Sequence, residues 1–374
     1  CLNIIWYNLK FGKKKSLTFI VKKILITTGG TGGHVIPAKI IKEHLKDDFN
    51  VLYSTDERGY KYLTSDTLKT IIIDTPKFNS FIYMPFRLMK VIFLIFKAVI
   101  FLKKEKIEKV ISIGGYMSLP IIIAAKISKL SIILFEPNMV LGRGNKFFLN
   151  FSKKIFCYSD KLANFPKKHL HKIELINPLV FKYFYEKKQT NKSNEKFCIL
   201  ISGGSQGAKF FDEFMKEIMA DIANNFSIKI IQQTTVENIA NLKKFYDAKN
   251  IESKIFNFEE KFIDLINMSD LCITRAGATS LAEIAHLNKP FIAVPLPSSK
   301  DDHQMSNAKF YEEKKCCWVL DQRNIKKEEL LSMLINILKD KNDLIEKKLN
   351  LVKLNSNNSW NDINQKLRKI VNEN

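Results

Sequence analysis

Twice along this chain an apolar, strand-like run ends in a glycine-rich turn that opens into a stretch of helical periodicity. The first is Ile26-Thr27-Thr28-Gly29-Gly30-Thr31-Gly32-Gly33-His34 and the second Leu200-Ile201-Ser202-Gly203-Gly204-Ser205-Gln206-Gly207-Ala208. Ordering glycine costs conformational entropy, so four glycines in positions 29 to 33 need a reason. A strand, a tight glycine turn and a helix start that bares its backbone N–H groups open each nucleotide-binding half of a doubly wound sheet. Around each turn, apolar runs alternate with helical stretches: KKILITT, NVLYST, KVISIGG, SIILFE and KIFCYS, then FCILISGG, IKIIQQT, SKIFNF, LCITRAG and PFIAVPL. Strand, helix, strand repeated this way calls for a parallel sheet covered on both faces. The fold class expected is α/β, with two Rossmann-like doubly wound domains facing one another across a cleft.

The boundaries follow from the pauses in the pattern. Residues 1–21 read as an extension, 22–178 as the first domain and 179–355 as the second, with the polar stretch Lys187 to Lys196 near the join. A closing helix at about 356–371 is expected to pack back on the first domain. At 374 residues the chain is long enough for two real cores. Its first twenty residues have no sustained apolar region of the kind a secretory signal needs.

Charge narrows the partners. Sixty Lys and Arg against 38 Asp and Glu leave +22, a field that draws anions. Only six of those cations are Arg, the residue that reads phosphates and bases bidentately, so no nucleic-acid partner is expected. Six cysteines without a C-x-x-C spacing support neither a zinc site nor a disulfide framework, and a reducing compartment fits best.

Three turns carry candidate chemistry. In the first, backbone N–H groups and the helix start suit a phosphate or a set of sugar hydroxyls. It is a weak match to G-x-G-x-x-G, since Val35 stands where the third glycine would be, and Asp56 lies further on than a ribose-binding acid of an NAD enzyme should. In the second turn, Ser205 can donate a hydroxyl to a phosphate or cap the following helix. In the third, Thr274 to Glu283, the Glu283 carboxylate can accept both hydroxyls of a ribose, while Ser280 and Glu283 also have the spacing of a capping box. The polar loop Pro295 to Gln304 follows and can close over the same pocket.

Taken together and in this order, GGTGGHVIPA, GGYMSLP, EPN, GGSQGA, and AGATSLAEI followed by DDHQMSNA resemble the MurG family of UDP-N-acetylglucosamine transferases over most of Lys22 to Val371. The resemblance implies a GT-B glycosyltransferase fold and an inverting transfer of GlcNAc to the C4 hydroxyl of MurNAc in undecaprenyl-pyrophosphoryl-MurNAc-pentapeptide, lipid I. It implies no cofactor, a peripheral location on the cytoplasmic face of the inner membrane, and as partners UDP-GlcNAc, lipid I, the anionic membrane surface and other cell-wall synthesis enzymes. Carried over residue by residue, His34 is the candidate general base. Thr31, Gly32, Gly33, Asn138, Ser205, Ala278, Thr279, Ser280, Glu283 and Gln304 line the donor, and Gly114, Gly115, Tyr116 and Glu136 the acceptor side. Three positions depart from the pattern: Phe135-Glu136-Pro137-Asn138 stands for HEQN, Val180 for an Arg near which only Lys182 lies, and His303 for the first of two glutamines. The same donor loops would serve a GT-B transferase with another lipid or small-molecule acceptor, or a non-catalytic nucleotide-sugar-binding membrane protein.

An unperturbed imidazole titrates near pH 6.5, which suits a base in a neutral cytoplasm, although His34 could equally cap or pack its helix start. Helix starts after the Ser205 and Ala278 turns are expected to hold the charge that develops on UDP, and no D-x-D pair sits at a strand end to hold a metal for it. Transfer is therefore expected to be metal-independent. The most apolar segment, Phe78 to Lys104, is broken by Arg87, Lys90 and Lys97, so its uninterrupted apolar runs are too short to span a membrane. It reads as an in-plane amphipathic helix pair against anionic headgroups, with a buried core helix as the alternative.

Overall fold

A computed structural model describes residues 22–30, 32–63, 70–76, 83–186 and 196–373, with the backbone alone for 205–208. Thr31, the side chain of Ser205 and the extension 1–21 therefore lie outside what is described.

The first half is a seven-stranded sheet: β1 (Lys23–Thr27), β2 (Asn50–Thr55), β3 (Thr70–Ile72), β4 (Ile107–Ser112), β5 (Ser131–Glu136), β6 (Lys154–Cys157) and β7 (Ile173–Leu175). The second has six: β8 (Phe197–Ser202), β9 (Ile228–Gln233), β10 (Glu252–Phe256), β11 (Leu271–Thr274), β12 (Phe291–Ala293) and β13 (Cys317–Val319). Their orders are β3-β2-β1-β4-β5-β6-β7 and β10-β9-β8-β11-β12-β13. The pairings are parallel. Strand order thus reverses between β1 and β4 and again between β8 and β11, and in open α/β sheets ligands bind outside the carboxyl ends of the strands at such reversals. All three glycine turns named above, and the Gly114-Gly115 pair after β4, emerge there.

Helices cover both faces, which is why the central strands read as unbroken apolar runs. Successive residues of β1 serve opposite cores: Ile24 and Ile26 one, Leu25 the other. The Trp360–Asn372 helix follows the whole second half in sequence yet packs on the first, filling the core beside Ile24 and Ile26 with Ile363, Leu367, Ile370 and Val371. A Ser359–Asp362 capping box starts it. Its Trp360 ring stacks on His44 at 3.5 Å, and Asn364 bonds His44 Nδ1 at 2.6 Å.

Phe78 to Lys104 differs from expectation. Among the described residues it forms one helix, Met84–Lys104, rather than a pair, because Pro85 sits in its first turn, where proline is tolerated, and neither Gly nor Pro interrupts it afterward. Nor is it a core helix. Val91, Leu94, Ala98 and Leu102 are buried, while Phe86, Met89, Ile92, Phe93, Phe96 and Ile100 are exposed.

Candidate active site

The first glycine turn is tied down from within. Asp56, 2% exposed, accepts from Gly30 N–H at 2.8 Å and Gly59 N–H at 2.9 Å through Oδ1, and from Arg58 Nε at 3.0 Å through Oδ2. The Gly30 N–H, one of the backbone donors of this turn, is therefore committed to a carboxylate. The same bonds remove Asp56 as the ribose acid of an NAD enzyme. Gly29 is required by space as well, since a Cβ there would lie 2.9 Å from Asp56 Oδ1. Gly32 and Gly33 form the first turn of the Gly32–Leu45 helix, and His34 follows, half-buried.

His34 rests on bare backbone. Gly115 has φ +80°, and a Cβ there would come within 3.4 Å of His34 Nδ1. On its far side Gly115 meets Gly144, whose Cβ would stand 2.9 Å from Gly115 N. Burial lowers the His34 pKa below its ordinary 6.5, opposed by the charge of Glu136 and a backbone hydrogen bond at Gly29, and reinforced by the charges of His303 and Lys300. Above its ordinary 6.5 the ring is thus neutral and can accept a proton.

Glu136, 3% exposed, is the hub of the loop that follows β5. Its Oε1 accepts from Asn138 N–H at 3.2 Å and Asn138 Nδ2 at 3.0 Å, and its Oε2 from Gly142 N–H at 2.9 Å and Asn145 Nδ2 at 3.0 Å. It braces this loop from within. Tyr116, more open, has its hydroxyl 3.4 Å from Arg58 Nη2.

Across the cleft, the Ala278–His286 helix starts after Gly277, with no side chain capping it. Ala278, Thr279 and Ser280 form its first turn, so Ser280 is the third helical residue and the capping-box reading falls. The backbone N–H groups of that turn face outward for an anion. Glu283, one turn on and half-buried, has no hydrogen-bond donor among the described residues, and burial pushes its pKa up to about 8. Gln304 Oε1 accepts from Ala276 N–H at 3.1 Å and Leu296 N–H at 3.0 Å, which leaves its amide nitrogen to donate. Gly204, at φ +60°, has open space where a Cβ would be.

Residues that sequence reasoning passed over join the halves. Asn307, 3% exposed, accepts from Met139 N–H at 2.9 Å and donates to Asn138 Oδ1 at 3.2 Å and Ala276 O at 3.1 Å. Arg143 holds Asp301 at 2.6 Å, which keeps that carboxyl below the usual range. Arg275 instead braces the second half alone: 6% exposed, it donates to Val294 O at 3.0 Å and lies over the Phe210 and Phe211 rings, and burial lowers its pKa to about 10. The Gly32–Leu45 and Ala278–His286 helices pack together, so His34 and Glu283 sit on facing elements. Val180, where an Arg was missed, is a buried core residue, and the Lys182 ammonium pairs with Glu186 at 3.4 Å. Among the described residues no group of three or more His, Cys, Asp or Glu side chains could hold a metal.

The glycosyltransferase family 28 N-terminal domain matches residues 24–157 and the family 28 C-terminal domain residues 198–367. A Pelagibacter ubique protein is 47% identical over 94% of this chain and 99% of its own length, and a Rickettsia bellii protein 32% over 89% and 95%. Both are UDP-N-acetylglucosamine--N-acetylmuramyl-(pentapeptide) pyrophosphoryl-undecaprenol N-acetylglucosamine transferases. The crystal structure of Acinetobacter baumannii MurG shares the fold, with a TM-score of 0.75 and 24% identity over 93% of this chain and 99% of that one. With both domains and nearly its whole length so matched, the chain belongs to glycosyltransferase family 28, in the MurG group.

Proposed function

We propose that the protein transfers GlcNAc from UDP-GlcNAc to the C4 hydroxyl of MurNAc in undecaprenyl-pyrophosphoryl-MurNAc-pentapeptide, converting lipid I to lipid II with inversion at the sugar. What carries this reading is the identity with the Pelagibacter relative across both halves, which leaves neither lip of the cleft unmatched.

The acceptor oxygen attacks C1 of GlcNAc as the bond from C1 to the pyrophosphate oxygen breaks, and the hydroxyl proton passes to neutral His34. Charge building on departing UDP meets the uncapped helix start at Ala278 to Ser280 and the turn at Gly204 and Ser205. Glu283, half-buried and without donors among the described residues, is suited to take both ribose hydroxyls, and Gln304 to donate its amide N–H to the sugar. Thr31, Gly32, Gly33 and Asn138 complete the donor side, and Gly114, Gly115 and Tyr116 face the acceptor over a loop braced by Glu136.

The acceptor is met at a bilayer. Among the described residues no helix is long and apolar enough to cross a membrane. The Met84–Lys104 helix runs back from the carboxyl edge of its sheet, so Phe86 and Met89 lie at the same edge as the Gly114–Tyr116 loop. Its exposed apolar face, with Lys90, Lys97, Lys103 and Lys104 exposed on the same helix, fits an in-plane seat on anionic lipid at the cytoplasmic face of the inner membrane.

The experiment is UDP release from UDP-GlcNAc with and without lipid I, in the wild type and in His34→Ala. Release that ignores lipid I, or that survives His34→Ala unchanged, refutes the assignment.

A further inference from the structure

We infer that Arg143 and Asp301 form a latch that shuts the donor-side turn 299–304 onto the base-bearing half at each turnover, which makes them positioning residues for the transfer. What the turn closes over rests on the function proposed above, whereas the latch itself rests on geometry.

The contact is two-pronged and crosses the cleft: Arg143 Nη2 to Asp301 Oδ1 at 2.6 Å and Arg143 Nε to Asp301 Oδ2 at 3.2 Å. Asp301 and Asp302 are consecutive left-handed residues, at φ 54° and 52°, a backbone that residues with side chains adopt reluctantly and that needs outside support. The turn is bonded within itself. Ser299 N–H bonds Leu296 O at 3.0 Å, Asp302 N–H bonds Ser299 O at 3.1 Å, and His303 Nδ1 lies 2.7 Å from Lys300 O. Gln304 follows directly, so whatever holds Asp301 also sets the height of Gln304 and His303 over the pocket.

The post on the other side is equally definite. Arg143 begins a helix whose Gly144 presses on Gly115, and Gly115 supports His34. The latch therefore ties the donor turn to the lip that holds the base. Arg143 is 72% exposed, and a solvent-bathed pair is weak and easily remade, as a contact must be that opens for UDP to leave. Asn307, buried, is the permanent part of the same junction.

The test compares wild type, Arg143→Ala, Arg143→Lys, Asp301→Asn and the double variant Arg143→Ala/Asp301→Asn by hydrogen exchange, UDP-GlcNAc titration and steady-state transfer. In either single variant without the fork, exchange in residues 296–304 should quicken by about three- to fivefold. The KM for UDP-GlcNAc should rise about fivefold, with kcat and the acceptor KM within about twofold, since an exposed pair contributes modestly. Arg143→Lys should fall between, and the double variant should match the singles, as coupled partners do. Unchanged exchange, losses that multiply in the double variant, or a shift in the acceptor KM alone would each overturn the latch. A wild type that binds UDP-GlcNAc yet transfers to no lipid-linked acceptor would overturn the functional reading instead, and exchange and titration would still decide the latch.

Discussion

Glu283 enters the cleft with its carboxyl lifted from the ordinary 4.5 to about 8 by burial alone. When ribose hydroxyls donate to it, the ionised form gains the partners it lacks and the pKa returns toward the ordinary range, so binding must expel a proton. Between roughly pH 5 and 8 the apparent affinity for UDP-GlcNAc should then rise about tenfold per pH unit. At pH 6 only about one free molecule in a hundred carries the carboxylate, and at pH 7 about 0.9 proton should leave per donor bound. Calorimetry in two buffers of different ionisation enthalpy reads both quantities, and the pyrophosphate diester of UDP-GlcNAc has no proton of its own to gain there. Glu283→Gln should flatten the profile. Stability gives an independent check on the same carboxyl. Its folded pKa lies above the unfolded one, so its contribution is full below pH 4.5 and is lost as pH rises through 8. At about 1.4 kcal/mol per pH unit the ceiling is about 5 kcal/mol, and for a half-buried group on the order of 2 kcal/mol is realistic. Glu283→Gln should thus raise Tm at pH 9 and leave it nearly unchanged at pH 5. An affinity independent of pH between 6 and 8, or the same slope in Glu283→Gln, would refute this reasoning.

His34→Ala should bind UDP-GlcNAc within about twofold of wild type while transfer falls by roughly 10²- to 10⁴-fold, the usual worth of a general base, measured by UDP release. Asn307→Ala leaves the Met139 N–H buried without an acceptor and should cost about 1–3 kcal/mol by denaturant unfolding, whereas Asn307→Asp, which keeps the acceptor, should lose less. On the Met84–Lys104 helix, Phe93→Ser with Phe96→Ser removes two exposed rings worth about 1.5–3 kcal/mol each if they enter lipid, so binding to anionic vesicles in flotation should fall at least about a hundredfold, with Tm unchanged. Equal flotation would separate that face from the bilayer.

The architecture was readable because its signals are short-range. Apolar runs such as FCILISGG and the glycines after them specify strand and turn within ten residues, and their alternation with helices leaves few topologies open. Glu283 was only half readable, since Ser280-x-x-Glu283 is a capping box or a binding turn depending on where the helix begins, and Gly277 decides that. The commitment of the Gly30 N–H was not readable because its partner, Asp56, lies 26 residues away. Asn307 and Met139 are 168 residues apart and Arg143 and Asp301 158, and no periodicity links such pairs. The Met84–Lys104 helix had an ambiguous surround: its residues are apolar on all sides, and only the neighbouring sheet decides which side is covered.

The Trp360–Asn372 helix also imposes a schedule on synthesis. Ile363, Leu367, Ile370 and Val371, and the Asn364 that His44 bonds, leave the ribosome only after every strand of β8 to β13. Until then the half made first has one of its cores incomplete, with Ile40, Ile41 and Leu45 of the Gly32–Leu45 helix short of their last partners. The half translated first is thus the one completed last, and a nascent chain halted before residue 360 would present sticky, unfinished surface to whatever chaperone stands at the tunnel exit.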